Sequence, residues 1–164
     1  KESTSNKVEL IPQTGRNLGE RMYHLMRYLE DREYSPVVII GSDIPNLQPA
    51  TLIRAIEELK KHDLCLGPSR DGGYYLVGAR HIDERVSLGI PWSTSRVLET
   101  TLRKAQEAEL SVALLDEYSD IDTFADLQRL DDHIQRLSVT PGAVIPAHTK
   151  AWLQETGIHP CILK

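Results

Sequence analysis

Cysteine is scarce. The 164 residues carry two, Cys65 in an apolar run and Cys161 near the end, at no spacing that suits a set of metal ligands. A disulfide-stapled scaffold is therefore excluded, an oxidising compartment is not implied, and the cytoplasm is the expected location. Positive charge is also in deficit: 19 Lys and Arg stand against 24 Asp and Glu, a net charge of −5 that the six His change little at neutral pH. With no cationic field to drive counterion release, nucleic acid is not an expected partner. No apolar run approaches the roughly 20 residues that span a bilayer, and Lys1 to Lys7 is polar rather than a signal peptide, so no membrane partner is expected. Internal repeats and low-complexity stretches are absent. What is present, 40% hydrophobic and 26% charged residues, suffices for one sizeable core.

The pattern along the chain alternates. Val8 to Ile11 is a short apolar run, and Asn17 followed three residues later by Glu20 opens an amphipathic helix through Leu29. Pro36 precedes Val37 to Gly41, apolar at consecutive positions as in a strand covered on both faces, which predicts a central parallel strand. Pro49 suits a first helical turn, and Leu52, Ile53, Ile56 and Leu59 recur at helical spacing up to Lys60-Lys61. Leu64 to Gly67 and Tyr74 to Val77 read as strands on either side of Asp71-Gly72-Gly73. Ser93 can cap a helix over about 94–109, Ser111 to Leu115 follows as a strand, and Asp122 can cap a last helix to about Leu137. Strands alternating with helices predict an α/β layered fold with a mostly parallel sheet over residues 1–137. Residues 138–164 read as an extension with a short helix around Ala147 to Glu155 and a loose end.

In such sheets the ligand crevice lies beyond the carboxyl ends of the strands, so polar residues placed there are the candidates. Asp43 follows Val37 to Gly41, where a carboxylate can hold a hard divalent cation, or can simply bond its own turn before Pro45. In Asp71-Gly72-Gly73 the missing Cβ atoms allow a sugar or phosphate to approach, and the same residues make a hairpin turn. Tyr74 and Tyr75 alternate in direction, so one faces the crevice or surface and the other the core. Asp120 and Asp122 point the same way in an extended segment and can share a cation, although Asp122 is equally a good helix cap. Trp92 can floor a sugar or base, with Ser93 and helix amides meeting an anion, or it can be a buried ring beside a capping serine. His24, His62 and His133 lie in or beside predicted helices with no repeated partner, as surface or boundary residues.

In order along the chain, Gln13, Asn17-Leu18-Gly19-Glu20-Arg21-Met22, Gly41-Ser42-Asp43-Ile44-Pro45, Gly67-Pro68, Asp71 to Gly78, Pro91-Trp92-Ser93-Thr94 and Asp120-Ile121-Asp122-Thr123 resemble the bacterial family DUF2064, which is glycosyltransferase-A-like. The resemblance spans about Val8 to Leu130. It implies a three-layer nucleotide-diphospho-sugar transferase fold. It further implies Asp43 as a metal ligand, Asp122 with Asp120 as the second carboxylate of a magnesium or manganese site, and Asp71, Gly72 and Gly73 as the loop lining the sugar or acceptor pocket. Arg21, with Asn17 and Gly19, matches a motif near the nucleotide edge, where it can meet phosphate.

One departure from the family pattern carries a physical consequence. The strand and loop of the form A-K-x-P-x-x-G-x-x-K-T-R-L, which embraces the nucleotide in relatives, is absent, and the first residue is Lys rather than Met. Val37 to Gly41 is then expected to expose an unpaired edge, and Val8 to Ile11 to lack a partner. The natural protein is expected to be longer, to have the gap covered by another chain, possible self-association included, or to be incompetent in this form. Three activities follow from the resemblance: metal-dependent transfer of a sugar from a nucleotide sugar to a small acceptor, with Asp71 orienting or deprotonating the acceptor; nucleotidyl transfer releasing pyrophosphate from the same site; or a noncatalytic binding module.

Overall fold

The computed structural model describes residues 9–119 and 121–156. Ten elements follow one another: α1 (Leu18–Glu30), β1 (Val37–Ile40), α2 (Pro49–Glu58), β2 (Leu64–Pro68), β3 (Tyr74–Ala79), α3 (Glu84–Ser87), α4 (Val97–Glu107), β4 (Val112–Leu114), α5 (Phe124–Leu137) and α6 (Ala147–Thr156). Among the described residues no helix is long and apolar enough to cross a membrane.

The sheet is mixed, which corrects the mostly parallel expectation. Its order is β1-β3-β2-β4, with β3 antiparallel to both β1 and β2, and only β2 and β4 paired in parallel. The cause is local. Asp71 to Gly73 folds β2 and β3 into a hairpin, and β3 then inserts between β1 and β2. Relative to β3, however, β1, β2 and β4 all run one way, so the loops that follow them leave the same end of the sheet.

Helices cover both faces. Leu64, Ala79, Val86 and Ala105 join β2 and β3 to α3 and α4, whereas Cys65 turns to the other face to meet Ala55 of α2 and Leu59, which ends that helix. Adjacent β2 residues thus serve opposite layers, as strand geometry requires. A register shift interrupts this at one point: Gly67 pairs with Leu76 but Pro68 pairs with Tyr74. The extra residue of this bulge lets Tyr75 and Leu76 enter the same cluster on the α2 side.

Val37 to Ile40 is an outer strand, not a central one. Gly41 N–H donates to Tyr75 O at 2.8 Å, which fixes Val37 and Ile39 as the residues bonded to β3. The N–H and C=O groups of Val38 and Ile40 point the other way and meet no strand among the described residues. The strand expected over Val8 to Ile11 is not formed at residues 9–11, and Val8 lies outside the described residues. Nor is the chain after α5 merely a linker. Gln48 Nε2 donates to Val144 O at 3.0 Å while Val144 N–H donates to Gln48 Oε1 at 2.9 Å, so an amide side chain imitates a strand neighbour. Leu153 of α6 is fully buried with Leu130 and Ile134 of α5 and Ile121. The expected loose end beyond residue 156 lies outside the described residues.

Two helix starts differ from expectation. Helix α5 is capped by Thr123, not Asp122, because Thr123 and Asp126 form a reciprocal capping box that Asp122 cannot make. Helix α4 begins at Val97, and Ser93 caps nothing; it is exposed with φ at +61°. By contrast, α1 starts as read, with Asn17 accepting from Glu20 N–H at 3.0 Å.

At the opposite end of the sheet, Asp63 ties three strands together. It accepts from Ser111 N–H at 2.9 Å, Ser111 Oγ at 2.6 Å and Arg80 Nη2 at 2.8 Å. These donors, Ser111 foremost and then Arg80, hold its carboxyl down at about 2. A depressed native value contributes stability that is present above the unfolded value near 3.9 and is lost as pH falls toward 2. Allowing for screening of a carboxylate that is about one-third exposed, this contribution is about 1–2 kcal/mol. Urea unfolding between pH 6 and pH 2 is expected to show that loss in the parent chain, and a correspondingly flatter pH profile in Asp63→Asn.

Candidate functional site

The three like-directed strands deliver their loops to one end of the sheet: residues 41–48 after β1, 69–73 after β2 and 115–123 after β4. β1 and β4 are the outer strands, about 14 Å apart at three strand spacings, so only loops that reach across can form a shared site. The loop after β4 reaches across to β3 and to α2, the helix that follows the β1 loop. Tyr75 Oη donates to Asp116 O at 3.0 Å, Arg54 of α2 pairs with Asp116 at 2.9 Å, and Thr51 Oγ1 lies 3.4 Å from Tyr118 Oη.

Asp43 is exposed, and no described residue donates a hydrogen bond to its carboxylate, so the self-bonded turn aspartate is not what is observed. Gly41 makes room for it: a Cβ there would lie 2.8 Å from Asp43 Oδ1. Asp122 is also exposed and without a donor among the described residues, while Asp120 lies outside them. No three His, Cys, Asp or Glu among the described residues converge closely enough to hold a metal. A magnesium-type ion needs fewer protein ligands, one or two carboxylates completing a shell made mostly of water and substrate phosphates. The donors present, carboxylate oxygens free of competing partners, fit such a hard ion.

Asp71 plays the turn role and keeps one oxygen spare. Its Oδ1 accepts from Ser69 Oγ at 2.5 Å and from Gly73 N–H at 2.8 Å, leaving Oδ2 without a described donor. Gly72 sits at φ +88° against the backbone of Ser95, and its carbonyl accepts from Leu98 N–H at 2.9 Å, so the loop is stapled to the start of α4.

The aromatic candidates lie elsewhere. Tyr74 and Trp92 meet edge to face at 5.9 Å between ring centroids, beneath α1, and burial pushes the Tyr74 phenol up to about 12. Trp92 Nε1 is sealed from solvent without a partner, directly over Gly19, where a Cβ would also come within 2.6 Å of Ser87 O. Both rings are packing elements of the α1 layer. Tyr75 faces the other layer, its ring against Gly67 and Tyr118. Ser93 is exposed, and the turn that leads into α4 is held by Thr94 rather than by Ser93. Arg21 donates to Gly15 O at 3.3 Å and lines a separate groove of about 440 Å³ beside Gln13 and His24.

What the sequence did not single out is a cleft of about 460 Å³ at the site end. Asn46, Arg70, Tyr118, Ser119 and Ile121 line it from the loops, and Arg129, His133 and Arg136 from α5. The spacing of the three α5 residues, four and then three apart, sets them on one helical face, a signal that was available. Burial, and then the Arg136 charge, hold the His133 imidazole below its ordinary value.

Residues 1–94 match the bacterial family described as "Uncharacterized protein conserved in bacteria (DUF2064)". No curated protein matches. A crystal structure from Desulfovibrio desulfuricans G20, of a protein to which nucleotide-diphospho-sugar transferase activity is ascribed, is similar at a TM-score of 0.78 and 36% identity. The similarity covers 88% of this chain and 62% of that one, so the chain spans less than two thirds of that relative. The chain belongs to the DUF2064 family, with an α/β fold like that of a nucleotide-diphospho-sugar transferase.

Proposed function

We infer that the chain serves a metal-dependent glycosyltransferase of the glycosyltransferase-A type, moving a sugar from a nucleoside-diphosphate sugar to a small acceptor. The observation that carries this reading is the delivery of Asp43, Asp71 and Asp122 to one end of the sheet by three like-directed strands, beside an open cleft. Asp43 and Asp122, with Asp120, would hold magnesium or manganese, which supplies Lewis-acid stabilisation of the charge on the departing diphosphate. Asp71 is held by its Oδ1, and its Oδ2 is free to orient an acceptor hydroxyl and take its proton. Gly72 and Gly73 would shape the loop that meets the sugar, Gly72 by packing against the Ser95 backbone and Gly73 by leaving room beside the Asp71 carboxylate. The role expected of Arg21 at the nucleotide phosphate would require a ligand extending to the groove beside α1, those of Tyr74 and Trp92 would require their surroundings to open, and that of Ser93 would require the ligand to reach its exposed turn.

Product analysis tests the reading. With a panel of nucleoside-diphosphate sugars and manganese, release of a nucleoside diphosphate is expected. Pyrophosphate released from a nucleoside triphosphate would instead mark nucleotidyl transfer at the same carboxylates, and no nucleotide binding at all would mark a noncatalytic module.

A further inference from the structure

The cleft beside the carboxylates has a chemistry of its own. Arg70 approaches it from the β2–β3 loop, and Arg129 and Arg136 approach from α5, one helical face above Ile121. Each guanidinium has donors to spare. Arg70 spends Nε on Glu117 at 3.1 Å, Arg129 spends Nη2 on Asp126, and Arg136 meets no carboxylate among the described residues. A guanidinium anchored by one edge and open on the other is oriented for two-pronged contact with an oxyanion. The carboxylates in the lining do not cancel this. Asp116 is held by Arg54, Glu117 by Arg70 and Asp126 by Arg129, which leaves Asp132 as the one lining carboxylate with no described cationic partner. With Arg54 included, four guanidiniums face four carboxylates, so the cleft exerts little long-range pull and selects by short, directional hydrogen bonds.

A second observation comes from unsatisfied atoms. Four buried side-chain polar atoms lack a partner among the described residues, and two of them, Asn46 Oδ1 and His133 Nε2, belong to side chains lining this cleft. An unpaired buried polar atom costs about 1–3 kcal/mol, so their concentration here marks a surface completed by a ligand or its bridging water rather than by the protein alone.

We propose that this cleft binds the acceptor and that the acceptor is a small hydroxylated oxyanion, a carboxylate or phosphate ester gripped by Arg70, Arg129 and Arg136. The proposal rests on the transferase reading for the word acceptor but not for the binding itself. It is tested on the full chain, isotopically labelled for NMR and titrated with glycerol 3-phosphate, glycerate and neutral glycerol. The two anions separate a phosphate from a carboxylate preference.

At least one anion is expected to shift the Nε–Hε signals of Arg70, Arg129 and Arg136 and the amides of Tyr118 and Ser119, while glycerol shifts none. Arg136→Gln is expected to weaken that anion roughly tenfold or more, and Arg136→Lys, which keeps the charge but loses the fork, by a smaller factor. Arg103→Gln on α4, whose side chain pairs with Glu107, is expected to change nothing. No shift with either anion, glycerol acting as well as its phosphate, or affinity indifferent to Arg136→Gln overturns the proposal. Asp43→Ala separates the two readings. It is expected to spare anion binding, and nucleotide binding that survives Asp43→Ala unchanged, with the cleft intact, sinks the transferase reading without touching this one.

Discussion

Gly72→Ala is expected to lower the unfolding free energy by about 2–5 kcal/mol, measured by urea denaturation. Two separate penalties combine. At φ +88° an alanine is strained by about 1–2 kcal/mol wherever it stands. In addition, its Cβ would lie 2.7 Å from the carbonyl carbon of Ser95, and backbone cannot step aside as the end of a side chain can. Forcing the loop off α4 costs about 1–3 kcal/mol more, in the manner of an overpacked core, and breaks the Leu98 to Gly72 hydrogen bond. Gly142 separates the two penalties, since it has φ +78° and nothing within 4 Å of an added Cβ. Gly142→Ala is expected to cost about 1 kcal/mol. Equal losses at the two positions would show that the contact with Ser95 contributes nothing, and that the Asp71 loop is not held by α4.

Asp43→Ala is expected to weaken manganese-dependent nucleotide binding by about 100-fold or more, because changes one shell further from a metal already cost about 10- to 100-fold. The same substitution is expected to leave stability within about 0.5 kcal/mol of the parent, since Asp43 is exposed and accepts no hydrogen bond from a described residue. Asp71→Ala differs in kind. It removes the acceptor for both Ser69 Oγ and Gly73 N–H, so a loss of function there is accompanied by about 1–2 kcal/mol of lost stability. Calorimetric titration and urea unfolding on the same samples distinguish a residue that holds a ligand from one that holds a turn.

Local chemistry was legible in the sequence wherever it was decided locally. The α1 start at Asn17, the β-branched strand at Val37, the Asp71-Gly72-Gly73 turn and the helix at Ala147 all stand where residue type and spacing put them. Strand order was not legible, because the burial of β2 and β3 on both faces is the same in a parallel and an antiparallel neighbour; consecutive apolar residues report coverage, not direction. The Asp-Gly hairpin signal was the available clue that β3 turns back on β2. Between Asp122 and Thr123 both residues are good caps, and only the carboxylate three positions beyond Thr123 decides between them. Trp92 was ambiguous because an aromatic ring beside a helix start can floor a ligand or fill a layer; in the structure its indole packs over Gly19, which has no Cβ to obstruct it. The arginine-lined cleft escaped notice because its residues come from elements about 60 positions apart, and isolated surface arginines carry no signal by themselves.

The account stands most directly on the grip of the strand-end carboxylates on a divalent cation together with a nucleoside diphosphate. Electron paramagnetic resonance of free manganese, titrated against the chain with and without nucleoside diphosphate, reads that grip. One manganese taken up per chain in the presence of nucleotide, abolished in Asp43→Ala and weakened in Asp122→Ala but unchanged in Asp132→Ala, is the predicted result. Manganese uptake indifferent to both Asp43 and Asp122, or no uptake with any nucleotide, would contradict it.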